Sequence, residues 1–123
     1  MIKLLVVDDE EDVRAFLANF FRRRNVEVFT AGSGEEAVAA VAAVHPYLIL
    51  LDIEMPGMNG IETLTKIRAI DLAAKVIMVT GKGPEEENAF EQCRQLGALD
   101  YIHKPLELTE LDKKVMKELS LAP

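Results

Sequence analysis

The chain has 123 residues, half of them hydrophobic, and carries a formal net charge of −7. Residues 1–123 therefore suit one compact domain with a real core, and the acidic balance leaves no basic surface to displace counterions from nucleic acid. Cys93 is the single cysteine and excludes an internal disulfide; no signal-peptide pattern or membrane-length apolar run is present, so a reducing cytoplasm is the expected location and no membrane partner is expected.

Strand and helix signals alternate along the sequence. Ile2 to Val7 is an apolar run broken only by Lys3, the pattern of a strand covered on both faces. From Glu11 the period changes, and Val13, Phe16, Leu17, Phe20 and Phe21 follow helical spacing. Acidic Glu10, Glu11 and Asp12 suit that helix's N-terminus, and Arg22-Arg23-Arg24 suit its C-terminal dipole rather than a binding patch. Val26 to Thr30 reads as the second strand. Ser33 then offers an N-cap with Glu36 as box partner, ahead of an Ala/Val helix over Ala37 to Val44.

Tyr47 to Leu51 is apolar throughout and delivers Asp52 at its end. A loop through Gly57 to Gly60 precedes a helix marked by Ile61, Leu64 and Ile67. Lys75 to Thr80 is the fourth strand. Pro84 suits the first position of the next helix, whose apolar stripe is Ala89, Phe90, Cys93 and Leu96. Leu99 to Ile102 forms a short fifth strand, and Leu108, Leu111, Val115 and Leu119 mark a last helix with Glu107 or Thr109 near its start. Five βα units with short, right-handed connections give a doubly wound α/β domain, a parallel sheet with helices on both faces. Ligands of such folds bind beyond the carboxyl ends of the strands, where strand order reverses.

The chemistry-bearing residues fall at those ends. Asp8-Asp9 follow the first strand, Asp52 the third, Thr80 the fourth and Lys104-Pro105 the fifth. An isolated Asp pair would as readily cap a helix, but a further carboxylate at a neighbouring strand end points to a metal. Carboxylates crowded without a cation repel, and one of them would stay protonated. A divalent cation removes that conflict and leaves one carboxylate free as a nucleophile, which is the chemistry of an aspartyl phosphate. The tail Ser120-Leu121-Ala122-Pro123 contains no linker, so a stand-alone protein is the preferred expectation over a domain cut from a longer chain.

These stations, with the string Asp52-Ile53-Glu54-Met55-Pro56-Gly57-Met58-Asn59-Gly60, follow the D-x-x-M-P-x-M-x-G pattern of a known family. Over its whole length the chain resembles the receiver domain of bacterial two-component response regulators, the CheY-like branch of the flavodoxin-like folds. The resemblance implies strand order 2-1-3-4-5 with five helices. It implies Mg²⁺ (or Mn²⁺) bound by Asp9, Asp52 and the backbone carbonyl of Glu54, with Asp8 acting through a water. Asp52 is then the phosphoacceptor, Thr80 and Lys104 hold the phosphoryl oxygens, and the bond before Pro105 is cis. Tyr101 occupies the aromatic switch position that follows Thr80 inward. Glu54 and Lys82 occupy positions that tune phosphoryl lifetime, and their opposite charges predict slow self-dephosphorylation.

The implied donor is a sensor histidine kinase, a phosphotransfer protein or a small phosphodonor. The implied output is a protein target or a homodimer meeting the face of helix four, strand five and helix five. Such a chain is a signalling phosphoacceptor rather than a metabolic enzyme, although it catalyses its own phosphorylation and dephosphorylation. A haloacid-dehalogenase-like phosphatase uses similar residues but needs a D-x-D string, which Asp8-Asp9-Glu10 does not supply. Phosphate-independent receiver-like modules usually lack an acidic or lysine station, and none is missing here. His103 and His45 are expected to be an exposed strand-end residue and a loop residue.

Overall fold

The computed structural model describes residues 1–81 and 84–123. Five strands alternate with five helices: β1 (Lys3–Val7), α1 (Glu11–Arg22), β2 (Glu27–Ala31), α2 (Gly34–Val44), β3 (Leu48–Asp52), α3 (Gly60–Ile70), β4 (Lys75–Thr80), α4 (Pro84–Gln95), β5 (Asp100–His103) and α5 (Leu108–Leu119). All strand pairings are parallel, in the order β2-β1-β3-β4-β5. Among the described residues no helix is long and apolar enough to cross a membrane.

The two-residue period of the strands sorts their apolar side chains onto two faces. Leu4, Val6, Leu48, Leu50, Ile77 and Ile102 meet Leu17, Phe21, Leu111, Val115 and Leu119 of α1 and α5. Leu5, Val7, Ile49, Leu51 and Met78 meet Ala37, Val41, Leu64, Ile67 and Cys93 of α2, α3 and α4. The central strands are thus apolar on both sides because both sides are covered, which explains why β1 and β3 read as unbroken runs rather than alternating ones.

The strand boundaries differ slightly from the periodicity reading. Strand β2 extends to Ala31, and β3 begins at Leu48 and takes in Asp52, whose Cα partner is Val79. Strand β5 is displaced to Asp100–His103, with the Leu99 amide donating to the Val76 carbonyl as the chain approaches the sheet. Helix α2 starts earlier, at Gly34, because the Ser33 hydroxyl accepts from the Glu36 amide and closes the first turn. The Glu36 carboxylate accepts from the Gly32 amide, one residue before the position that a standard capping box would use. Helix α3 carries a full capping box, Asn59 with Glu62, that lies hidden inside the loop string. Glu107 caps α5, accepting from the amides of Thr109 and Glu110.

The triple-arginine run splits in role. Arg24 forms a two-pronged ion pair with Asp112 of α5 and lies 3.8 Å over the Phe20 ring, so it ties α1 to α5. Arg22 donates to the Val28 carbonyl. Arg68 of α3 donates to the carbonyls of Leu96 and Gly97 at 2.8 Å each and also to that of Ala74, fastening the end of α4 and the start of β4 to α3. Gly97 itself has φ +95, the left-handed conformation that closes a helix with the Ala98 amide reaching back to the Cys93 carbonyl.

One close approach positions the site. At the start of α3, a Cβ on Gly60 would stand 2.5 Å from the Asp52 carbonyl oxygen and 2.6 Å from the Ile53 Cα. Both neighbours are backbone and cannot step aside. Gly60→Ala is therefore expected to lower stability by about 2 kcal/mol or more. Gly57→Ala, at φ +74 with open space around its Cβ, should cost only about 1–2 kcal/mol from the left-handed backbone. Urea denaturation midpoints of the two variants check the ranking.

Candidate functional site

The strand order reverses between β1 and β3, since the chain leaves β1 for β2 on one side and returns to β3 on the other. Asp8 and Asp9 leave β1 at this crevice and Asp52 closes β3 beside it. Their carboxylate oxygens include a set lying within 4.8 Å of one another. Asp8 and Asp52 are buried, at 4% and 1% exposure, while Asp9 faces solvent. Side chains of one sign are thus concentrated at a wall with little water to screen them.

Local bonds fix each carboxylate. The Asp8 amide donates to the Ala31 carbonyl, continuing the strand pairing, and Asp8 Oδ1 accepts from the Glu10 amide at 2.8 Å, which turns the chain into α1. Arg14, one turn into α1, donates to the Asp8 carbonyl at 2.6 Å and braces this loop. Asp52 has one donor on each oxygen: the Glu54 amide on Oδ1 at 3.0 Å and Lys104 Nζ on Oδ2 at 2.7 Å. Lys104 is held in turn by its own amide, which donates to the Thr80 carbonyl at 2.7 Å, and its peptide bond to Pro105 is cis.

The electrostatics are lopsided. Burial, more than any other influence, pushes the Asp52 carboxyl up to about 6; Lys104 opposes this through its hydrogen bond and charge, and Asp8 adds to it by repulsion. Partial burial works against the Lys104 charge, but the bond to Asp52 and the nearby Asp8 and Glu10 outweigh it and raise the ammonium above its usual value. One lysine at the rim does not offset two carboxylates at the wall.

The donor set fits a small, hard divalent cation. All three groups are carboxylates, the ligands that Mg²⁺ and Mn²⁺ prefer. Two oxygens each about 2.1 Å from one Mg²⁺ stand at most about 4.2 Å apart, so a modest inward shift of the observed cluster would bring two of its carboxylates into direct range and leave the third to act through a water. Three protein ligands leave the remaining octahedral positions to water or an incoming oxygen.

The other expected residues fall around this centre. Thr80 is buried, and its hydroxyl donates to the adjacent Gly81 carbonyl at 2.8 Å. Tyr101 is half-buried, 4.5 Å from the Phe90 ring and 4.8 Å from that of His103, with Lys114 donating to its carbonyl. Glu54 is exposed at the mouth. Lys82 lies outside the described residues. Met55 is buried and Met58 packs on Gly34, so the loop methionines serve packing.

Two features were not legible beforehand. Arg14 reads in sequence as one more polar-face helix residue. His103, expected to be exposed, is half-buried, with Nδ1 3.2 Å from the Gly81 carbonyl.

Residues 4–116 match the family model described as the response regulator receiver domain. The chain is similar to sporulation initiation phosphotransferase F of Bacillus subtilis, at 36% identity over 97% of this chain and 94% of that protein. It is 39% identical to regulatory protein AtoC of Escherichia coli and 39% identical to a protein-glutamate methylesterase/protein-glutamine glutaminase of Bacillus subtilis. It spans only 25% and 33% of those two proteins. Among solved structures, a CheY-like receiver domain protein from Methanospirillum hungatei superposes with a TM-score of 0.90 at 28% identity, covering 98% of this chain and 94% of that one. Chemotaxis protein CheY4 of Vibrio cholerae superposes with a TM-score of 0.85 at 27% identity, covering 95% and 98%.

The repulsion between Asp8 and Asp52 makes a signed prediction. Asn at position 8 can still accept from the Glu10 amide but no longer repels Asp52. In metal-free buffer at neutral pH, Asp8→Asn is expected to stabilise the fold by about 1 kcal/mol. Below pH about 6 the wild-type Asp52 takes up its own proton, the repulsion vanishes, and the gain should shrink toward zero. Added Mg²⁺ should raise the wild-type denaturation midpoint more than that of the variant. Thermal or urea melts with and without Mg²⁺, across that pH range, read all three effects.

Proposed function

The chain belongs to the response regulator receiver domain family, and on that premise we propose that Asp52 is the residue that accepts a phosphoryl group. Residues 1–123 are read as one receiver domain. Asp9, Asp52 and the Glu54 backbone carbonyl hold a divalent cation, with Asp8 acting through a bound water. A cation bound there neutralises the charge of the carboxylate and the approaching phosphoryl group.

The residues do the rest. An Asp52 oxygen bonds to phosphorus while the donor's bond to phosphorus breaks, and that electron pair leaves with the donor. Asp52 loses no proton in this step, so no general base is needed and neither histidine has to act as one. Lys104 gives up its bond to Asp52 and takes a phosphoryl oxygen, keeping a full charge as it does so. Thr80 turns its hydroxyl from the Gly81 carbonyl to another phosphoryl oxygen. The observation that carries this reading is a carboxylate 1% exposed that has a lysine on one oxygen and two further carboxylates beside it. Such a group is costly as an apo site and becomes favourable once a cation is present.

The donor is a histidine kinase, a phosphotransfer protein or a small phosphodonor, and the phosphorylated chain acts on a protein partner or on a second copy through the face of α4, β5 and α5. Tyr101 on that face couples it to Thr80. Glu54, at the mouth, and Lys82 set the lifetime of the phosphoryl group. The chain is consumed and reset in each cycle rather than turning over a metabolite.

Intact-protein mass after incubation with Mg²⁺ and acetyl phosphate tests the assignment. The expected result is one phosphoryl adduct that requires Mg²⁺ and is absent from Asp52→Asn. An adduct that persists in Asp52→Asn would move the site elsewhere. No adduct in the wild type, together with no binding of beryllofluoride and Mg²⁺, would leave a phosphate-independent interaction module.

A further inference from the structure

His103 lies outside the set of residues assigned to the cation or the phosphoryl group, yet it is joined to that set at one atom. The Gly81 carbonyl oxygen accepts from the Thr80 hydroxyl at 2.8 Å and stands 3.2 Å from His103 Nδ1. A carbonyl only accepts, so Nδ1 carries the proton in this contact, either in the Nδ1–H tautomer or in the imidazolium. The pairing is set by the sheet, because Thr80 and His103 are Cα partners across β4 and β5. The ring also packs against Tyr101 in a T-shaped contact at 4.8 Å, and Tyr101 packs on Phe90. Thr80, Phe90, Tyr101 and His103 together line a cavity of about 230 Å³.

A carbonyl with two donors can lose one at little cost, whereas a carbonyl losing its sole protein donor is left short of a partner. When Thr80 turns toward the phosphoryl group, His103 remains on Gly81. We propose that His103 is a positioning residue for phosphoryl capture: by keeping the Gly81 carbonyl hydrogen-bonded, it lowers the cost of releasing the Thr80 hydroxyl. The same ring packs on Tyr101, so the donor that eases Thr80 toward the phosphoryl group and the aromatic on the α4-β5-α5 face are neighbours on one strand. This inference rests on the phosphoacceptor reading and assigns it a residue that the motif stations do not include.

The test is the affinity of the Mg²⁺-loaded protein for beryllofluoride, a phosphoryl mimic, in a double-mutant cycle with Thr80. His103→Phe keeps a ring against Tyr101 and removes the donor; His103→Asn keeps an N–H donor near the Nδ1 position. The expected loss in His103→Phe is roughly threefold, the low end of one hydrogen bond's net worth, because Gly81 is only half-buried and water takes part of the load. His103→Asn should recover most of it. In a Thr80→Ala background, which has no hydroxyl to release, His103→Phe should change nothing further. Wild-type affinity in His103→Phe, no recovery in His103→Asn, or an equal loss in the Thr80→Ala background would each overturn the proposal. A wild-type protein that does not bind beryllofluoride would overturn the phosphoacceptor reading itself, and this inference with it.

Discussion

The structure turns on a carboxylate buried where it is electrostatically uncomfortable. Asp52 closes the central strand pair with 1% of its surface exposed, and Asp8 stands beside it, also buried. Burial and repulsion push its carboxyl up to about 6 despite the hydrogen bond from Lys104. A group of this kind would be eliminated from a fold selected only for stability, because a polar or apolar residue of similar volume would be cheaper. The proposed cation and phosphoryl group would supply the compensation that the fold itself does not. Under the proposed reading, a bound cation would relieve that crowding, and cation binding and the reactivity of Asp52 would be two consequences of it.

The topology makes that crowding without distorting any strand. Between β1 and β3 the chain has left the sheet in opposite directions, so no connection crosses the crevice and the residues following each strand face it unobstructed. Helices then shape the rim. The Glu10 amide at the start of α1 satisfies one Asp8 oxygen, and the Glu54 amide after β3 satisfies one Asp52 oxygen. Gly60, at the start of α3, lies so close to the Asp52 and Ile53 backbone that no side chain fits there. The motif glycine is therefore a packing requirement of the strand end that carries Asp52, and its spacing from Asp52 is the length of loop needed to bring α3 back against β3.

Much of this was legible in the sequence, and the exceptions have physical causes. The doubly covered strands announced themselves as apolar runs, and the acidic and lysine stations fell at their ends, because both properties depend on residue type and chain order alone. Strand β5 was placed one residue early because Leu99 is apolar but half its surface is exposed, while His103 is polar yet paired with Thr80 in the sheet. The Asn59–Glu62 capping box was concealed by the loop string around it. Arg24 and Arg68 were visible only as charges; that one spans α1 to α5 and the other ties α3 to α4 is decided by side chains reaching between elements distant in sequence. His103 failed for the same reason: its partner is a backbone carbonyl on another strand, and no side-chain pattern encodes a carbonyl.

The two ends of the site do different work. On the β1 and β3 side, a backbone amide holds one oxygen of each buried carboxylate. On the β4 and β5 side the contacts are exchangeable: Thr80 donates to the next residue's own carbonyl, Lys104 sits 38% exposed at the rim, and Thr80, Phe90, Tyr101 and His103 line a cavity of about 230 Å³. Under the proposed reading, a phosphoryl group at Asp52 would draw on the groups whose contacts can be exchanged, the hydroxyl of Thr80 and the ammonium of Lys104. Because the Lys104 amide is bonded to the Thr80 carbonyl, both responses act on the same pair of strand ends. The same strand ends connect to Tyr101 and the α4-β5-α5 face through the packed rings of His103, Tyr101 and Phe90, which is the route the proposed switch would take.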